Sequence, residues 1–503
     1  MKKFYIPTSI AYTNQRPHIG FALEVIQADV LARYHRLLGE EVFFSTGTDE
    51  HGMTNVQAAK EAGKTPEDFT EEISKRVRDL TEILNLSNDD FIRTTDKKRH
   101  WPTVKKVWLK LKENGDIYKK KYKGLYCVGC EAFVKEKDLV DGKCPLHGKT
   151  PEAIEEENYF FRLSKYQNQL KKIIGRGEIK IIPEGRKSEL LSFITQGLED
   201  TSCSRPREKL EWGIPVPDDR THLVYVWMDA LVNYLSALDY AIDGDKFKKF
   251  WPPDVHCIGK DIFVRFHGSL WPAMLLSLGL GLSKTIFVHG FITVAGQKMS
   301  KSLGNVIDPF ELVDKYGTDA VRYFLLREIP PTEDGDFTYE KFEERYNSDL
   351  AKGLGNLVAR VLTMVERTKV QEYSHIAVEP EITKTRQSYK KALAEFKFNE
   401  ALIAIWDLIS FADGYIESER PWEVITELPT KERLQPTHHP PKRSSGSSVV
   451  IFNLLFILGN VAQMLQPFLP ETSEKIFGQL GIKPDKKPWH FKIMKEKPLF
   501  PRI

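Results

Sequence analysis

Phe4-Tyr5-Ile6-Pro7-Thr8-Ser9-Ile10-Ala11-Tyr12-Thr13-Asn14-Gln15-Arg16-Pro17-His18-Ile19-Gly20-Phe21 reads as a strand, a loop and the start of a helix. Phe4 to Pro7 is a short apolar run. After the loop, apolar residues recur at Ile19, Ala22, Leu23, Ile26, Val30, Leu31, Leu37 and Leu38, which is helical spacing. Gly39 stands where such a helix ends. Val42-Phe43-Phe44 predicts a second strand, leading into the turn-rich Thr46-Gly47-Thr48-Asp49-Glu50-His51-Gly52. Strand, helix, strand is the first half of a doubly wound α/β domain of the Rossmann type, whose ligands sit at strand carboxyl ends.

The rhythm returns late. Val224-Tyr225-Val226-Trp227, Val255-His256-Cys257-Ile258 and Ile286-Phe287-Val288 read as buried parallel strands. Residues 116–220 interrupt the fold with a cysteine cluster and the aromatic Asn158-Tyr159-Phe160-Phe161, and read as an inserted domain. The expected organisation is a catalytic domain over 1–115 and 221–295, split by that insertion, then a connecting region 296–345, a helical domain 346–480 and a tail 481–503. Periodicity in the helical part predicts helices near 347–370, 386–419, 448–465 and 471–479. Leu428 to Ser448, rich in proline and serine, reads as a mobile loop.

A chain of 503 residues suggests roughly three domains. Its 41% hydrophobic and 28% charged residues describe a soluble globular protein. With a net charge of +3, bulk charge announces no nucleic-acid partner, and any basic surface is local, as at Lys119-Lys120-Lys121 with Lys123. The start has no apolar run of signal-peptide length, and Val449 to Leu458 is too short to span a bilayer. A cytoplasmic protein without a membrane partner is expected. Five cysteines in so long a chain argue against a disulfide framework.

Two peptides offer phosphate-binding chemistry. Gly20 opens a helix just after a strand and loop, where backbone N–H groups and the helix dipole favour anions. His18 adds a hydrogen-bond donor, and Gly20 lets a nucleotide base approach the backbone. Far downstream, Lys298-Met299-Ser300-Lys301-Ser302 follows the strand-loop Val288-His289-Gly290-Phe291. Its lysines are mobile point charges suited to a triphosphate, and a loop there can close over the site.

Cys127-x2-Cys130 is followed after thirteen residues by Cys144-x2-His147, the spacing of a tetrahedral zinc site. Four protein ligands leave no open position, so the ion is expected to be structural. Gly129 and Gly142 allow tight knuckle turns, and Cys203 and Cys257 stand alone.

Together, Pro17-His18-Ile19-Gly20 and Lys298-Met299-Ser300-Lys301-Ser302 resemble the paired signatures of class I aminoacyl-tRNA synthetases, which activate an amino acid with ATP and transfer it to tRNA. The resemblance implies ATP contacts at His18, Gly20, Gly259, Asp261, His289, Lys298 and Lys301, with His18, Lys298 and Lys301 in the catalytic role and Mg²⁺ accompanying ATP. Phe21 stands where the family pattern carries a second histidine, and phenylalanine cannot donate to a phosphate.

Within that family the chain resembles the methionyl-tRNA synthetases. The matching segments are Ile10-Ala11-Tyr12, Gly47 to Gly52, Tyr225 to Leu231 and Gly259-Lys260-Asp261-Ile262. The resemblance implies an L-methionine pocket of Ile10, Tyr12, Trp227, Ala230, Leu231, Tyr234, Ile262 and His267, with Asp49 on the amino group. A polarizable thioether suits the aromatic faces of Tyr12, Trp227 and Tyr234, and an Asp is the simplest anchor for an amine. Asp261 to His267 is one residue longer than the family spacing. The insertion is about half the length of a hydrolytic editing domain, which related enzymes need because one methylene discriminates by only about 1–3 kcal/mol.

Asn356 and Arg360 lie one turn apart on a helix, and Trp422 follows Arg420-Pro421 at the end of another. They match the family positions that read the CAU anticodon, which makes tRNA(Met) the implied partner. An aromatic plane, an amide and a guanidinium suit an unstacked loop. The chain stops soon after its last helix, so a monomer is expected. The alternatives are a cysteinyl-tRNA synthetase-like enzyme, whose metal belongs at the amino-acid site, and a catalytically impaired RNA-binding paralogue, favoured only by Phe21.

Overall fold

The opening stretch folds as its pattern predicts. Lys3–Pro7 is strand β1, Ile19–Leu37 is helix α1 and Glu41–Asp49 is strand β2. Gly39 takes φ +77°, the left-handed conformation that ends a helix without a Cβ penalty. This computed structural model describes residues 2–128, 132–134, 136–145, 148–299, 304–366, 376–422, 444–484, 489–494 and 497–503. They form two compact units, Met1–Phe291 with Ile307–Phe310, and Ile292–Val306 with Glu311–Ile503.

The first unit is built on parallel strands. β1 pairs with β2, and β2 with β3 (Asp90–Arg93). A second set places β5 (Val255–Gly259) beside β6 (Thr285–His289), and β6 beside β4 (Lys180–Ile182). A parallel bridge from Thr8 to Cys257, with Asp254 N–H on Tyr5 O at 2.9 Å and Ser9 N–H on Cys257 O at 3.0 Å, joins the sets through β1 and β5. The order is β3-β2-β1-β5-β6-β4, and the strand sequence reverses direction between β1 and β5. Such a switch point leaves a crevice at the carboxyl ends of the two strands. Gly47 is required where β2 meets β3, because a Cβ there would lie 1.9 Å from Ile92 O.

Two expectations fail in this unit. Val224 to Trp227 is not a parallel strand: Asp219–Val224 is antiparallel to its neighbours and Val226–Leu231 is a helix. A run of four apolar residues has no period long enough to tell strand from buried helix. The stretch 116–220 is also not one uninterrupted insertion, because β4 within it extends the parallel sheet. Ile181, Leu190 and Ile194 share a core with Ile258 and Val288. The inserted antiparallel sheet proper pairs Ile117–Cys127 with Glu152–Phe161, flanked by Ala132–Val134 and Thr201–Ser202.

The second unit is mainly helical. Its helices include Thr318–Arg327, Asn356–Glu366, Glu379–Ala394, Phe398–Glu419, Ser444–Leu465 and Pro470–Leu480. The single helix expected over 386–419 is two helices, broken where buried Phe396 takes φ +60°. Of the expected mobile loop, residues 428–443 lie outside the described residues, while Ser444 to Ser448 open a helix instead. That helix contains Ser447–Leu465, which is long and apolar enough to cross a membrane, contrary to the shorter stretch expected. With 83% of the stretch buried, it is packed as a core helix.

Candidate active site

Several of the predicted residues of the first unit follow the carboxyl ends of the strands at the switch point. After β1, Ala11–Tyr12 runs parallel to the end of β2, so Tyr12 lies opposite Asp49. Thr13 closes the turn by donating its N–H to Asp49 O at 3.0 Å and its hydroxyl to the same oxygen at 3.1 Å. The proposed ammonium anchor and one aromatic wall are therefore fixed by sheet register. Ile10, half-buried, leads into this turn.

His18 is the N-cap of α1, with extended backbone and Nδ1 accepting the Gly20 N–H at 3.0 Å. The first amides of α1 are not free, contrary to the sequence expectation. Ile19 N–H reaches Ile307 O, and Phe21 and Ala22 both reach His18 O. The donor left at this terminus is the imidazole. With Nδ1 accepting, the neutral ring carries its proton on Nε2, and burial holds the ring's pKa below its usual value.

Behind the helix start lies a pair that sequence reading missed. Glu24, on α1, is buried and takes the Ser9 hydroxyl at 2.6 Å and His289 Nε2 at 2.8 Å. His289 Nδ1 donates to Gly290 O at 2.7 Å, so both ring nitrogens are donors and the ring is an imidazolium. Burial opposes that charge, but Glu24 outweighs it and His289 is raised above its ordinary value. His289 thus ties the end of β6 to α1, and its ring nitrogens are engaged within the protein. Gly259 ends β5, where a Cβ would lie 2.8 Å from Asp261 Oδ1, so the strand end and that exposed carboxylate stay close.

The residues expected to line a side-chain pocket make aromatic contacts. Half-buried Trp227 stacks on Phe266 at 3.6 Å between centroids and 9° between planes, a partner the sequence did not single out. Tyr234 and His267 are buried, with Tyr234 Oη 2.8 Å from His267 Nε2. His267 Nδ1 donates to Ile262 O at 3.2 Å, so Nε2 accepts the tyrosine proton. Burial lowers His267 to about 4, which keeps it neutral. His267 sits in a π-helix over Phe263–Leu270, whose i→i+5 hydrogen bonds span one more residue than those of an α-helix. Ala230 and Leu231 are buried on the helix Val226–Leu231.

A second buried cluster sits beneath the Asp49 loop. The Asp229 carboxylate lies 2.6 Å from both His51 Nδ1 and His100 Nε2. Burial would raise its pKa, but the two imidazoles hold it below the usual carboxylate value. Glu50 takes Arg93 through Nε at 2.7 Å and Nη2 at 2.9 Å, and the Thr48 hydroxyl at 2.6 Å. The apparent acidity of Asp49-Glu50 is thus divided, with Glu50 holding the loop from inside.

In the second unit, Lys298 is exposed on Gln297–Lys298, antiparallel to Ile292–Val294. Ala295 and Gly296, at φ +50° and +74°, make the tight turn between them. Asp336 Oδ1 takes Gly296 N–H at 2.7 Å and the Thr293 hydroxyl at 2.8 Å, which anchors the hairpin. Lys301 lies outside the described residues. Asn356 is exposed at the start of its helix. Arg360 is engaged by Asp413 at 3.2 Å and Glu417 at 2.7 Å. Trp422, 38% exposed, follows buried Pro421 and Arg420, whose left-handed φ of +42° ends the preceding helix.

Cys127 and Cys144 are both buried and share a small cluster with Val134. Gly148 N–H on Cys144 O at 2.7 Å and Cys144 N–H on Lys149 O at 2.9 Å shape a turn around the second thiol. Gly142, at φ +72°, belongs to the tight turn between Val140 and Lys143 that precedes it. Cys130 and His147 lie outside the described residues, and among the described residues no group of three metal-ligating side chains occurs. The two described thiols fit half of a sulfur-rich zinc site.

The family described as tRNA synthetases class I (M) matches residues 4–149 and 134–362. The chain is 44% identical to the methionine–tRNA ligase of Caldanaerobacter subterraneus subsp. tengcongensis, over 100% of this chain and 79% of that protein. This chain belongs to the methionyl-tRNA synthetase family. It is 42% identical to the Thermotoga maritima methionine–tRNA ligase, over 96% of this chain and 76% of that one. Among solved structures, Mycobacterium tuberculosis methionyl-tRNA synthetase in complex with methionyl-adenylate superposes with a TM-score of 0.91 at 36% identity, covering 100% of both chains. The cysteine-specific alternative gains nothing from these relatives, which are methionine enzymes by name.

Proposed function

We infer that this chain is a methionine–tRNA ligase, converting L-methionine and ATP to methionyl-adenylate and pyrophosphate and then charging tRNA(Met). The observation that supports this reading is Asp49 held opposite Tyr12 at the carboxyl end of a doubly wound sheet, with a buried Tyr234–His267 pair in the same unit. Asp49 anchors the ammonium, and Ile10, Tyr12, Trp227, Ala230, Leu231, Tyr234 and Ile262 enclose the side chain. Neutral His267 and Tyr234 present no net charge to the thioether, which favours an apolar substrate end.

The methionine carboxylate oxygen attacks the α-phosphorus, and pyrophosphate leaves as the P–O bond to it breaks. His18 Nε2–H donates to phosphate oxygen, while Gly20, Gly259 and Asp261 border the nucleotide. Lys298 and Lys301 balance charge developing on pyrophosphate. Mg²⁺ bound with ATP supplies further neutralisation. In the second step a terminal ribose hydroxyl of tRNA attacks the carbonyl and AMP departs. Asn356, Arg360 and Trp422 hold the anticodon loop. One structural zinc ion on Cys127, Cys130, Cys144 and His147 would brace the insertion, and the enzyme acts as a monomer.

The test needs no tRNA. Methionine should drive exchange of pyrophosphate into ATP far better than cysteine or leucine, and Lys298→Ala should slow that exchange. Equal or better exchange with cysteine or leucine would sink the methionine assignment.

A further inference from the structure

Asp229 has no part in the roles assigned above, yet the two halves of the methionine pocket meet at it. Its carboxylate is 0% exposed, with Oδ2 on His51 and Oδ1 on His100. Asp229 sits on the helix Val226–Leu231, which also carries Trp227, Ala230 and Leu231. Residues two apart on an α-helix point to nearly opposite sides. Trp227 accordingly faces Phe266 while Asp229 faces the interior.

His51 lies two residues beyond Asp49 on the loop that follows β2. That loop is held by its carbonyls: Asn55 Nδ2 donates to His51 O at 2.9 Å and to Asp49 O at 3.3 Å, and Trp212 Nε1 to Glu50 O at 2.6 Å. A stiff loop and a short helix are thus joined through one carboxylate. His100, backed by the Ser236 hydroxyl at 2.9 Å, holds the other oxygen and keeps the carboxylate from swinging.

We propose that Asp229 is a positioning residue that sets substrate length. Through His51 it fixes the separation between Asp49, on the ammonium, and the wall of Trp227, Ala230 and Leu231, on the side chain. An amino acid gripped at both ends is measured by that separation. This inference rests on the reading of Asp49 and Trp227 as methionine contacts. Asparagine at 229 has one acceptor oxygen for two imidazole donors and turns an N–H toward one of them, so the charged acceptor shared by both rings is lost and one ring keeps a bond only by changing tautomer.

The experiment measures pyrophosphate exchange by the full chain with methionine and with ethionine, which is longer by one methylene. Asp229→Asn and His51→Ala should each raise the methionine KM about tenfold, leave the ATP KM within about twofold, and narrow the methionine-to-ethionine preference. His51→Asn, whose amide nitrogen replaces Nδ1, should restore both values. Unchanged methionine KM and preference in both damaging variants overturns the proposal. So does a parallel rise in both KM values with falling kcat, the mark of general loosening. If Asp229→Asn does not fold, the two His51 variants decide alone. Failure of the underlying reading shows separately, as an unaltered methionine KM in Asp49→Ala, and the proposal then falls with it.

Discussion

His18 Nδ1 accepts the Gly20 N–H at 3.0 Å, so one histidine both caps α1 and points its remaining ring proton away from the helix. Capping and phosphate contact use different nitrogens and are separable by mutation. Asparagine is an equally good N-cap but has no donor at the Nε2 position. His18→Asn should keep the melting temperature of the parent while slowing pyrophosphate exchange by about 10²-fold, the usual cost of one lost transition-state donor. A parental rate in this variant contradicts the catalytic role of His18.

The buried Glu24–His289 pair predicts a pH-dependent stability. His289 has a folded value above its ordinary one, so its contribution is full below about pH 6.5 and is lost as pH rises through the raised value. Glu24→Gln removes the partner charge. The parent should exceed it by about 1–3 kcal/mol on the acid side, and denaturant midpoints should converge as pH rises. A gap that stays constant with pH contradicts the imidazolium assignment.

The buried thiols of Cys127 and Cys144 predict metal content. The purified chain should hold one zinc ion, and Cys144→Ser should release it and make the insertion sensitive to protease, because a closed site contributes folding energy. Protein without zinc that charges tRNA normally contradicts the structural role.

Trp422 and Arg360 predict a separation of the two half-reactions. Exchange needs the α/β unit and the lysine hairpin but not the anticodon residues, whereas charging needs the anticodon held. A base stacked on an aromatic side chain contributes about 1–3 kcal/mol, so Trp422→Ala should lower tRNA charging efficiency about tenfold and spare exchange. Arg360→Ala should behave alike, and the acidic pair Asp413 and Glu417 gives a further handle, since it orients that guanidinium. If both variants charge a CAU transcript normally, the anticodon is read elsewhere.

The doubly wound core, the glycine at the end of α1 and the paired lysine and histidine peptides were all legible as local patterns. Each depends on neighbours within a few positions, where hydrophobic period, capping chemistry and chain reversal leave direct marks. Tertiary structure decided the rest. Lys180–Ile182 is too short to announce itself, and its place on the sheet edge depends on Thr285–His289, far along the chain. Glu24 reads as an ordinary charge on a helix until His289 and Ser9 close around it, and Asp229 reads as a polar residue in an apolar run until His51 and His100 meet it. Arg360 likewise gains its two carboxylates only when Phe398–Glu419 packs alongside. Buried charges acquire meaning from partners, and partners distant in sequence leave no periodic trace. The sequence by itself therefore determined the family and the fold class, while packing determined which buried polar groups tie the candidate site together.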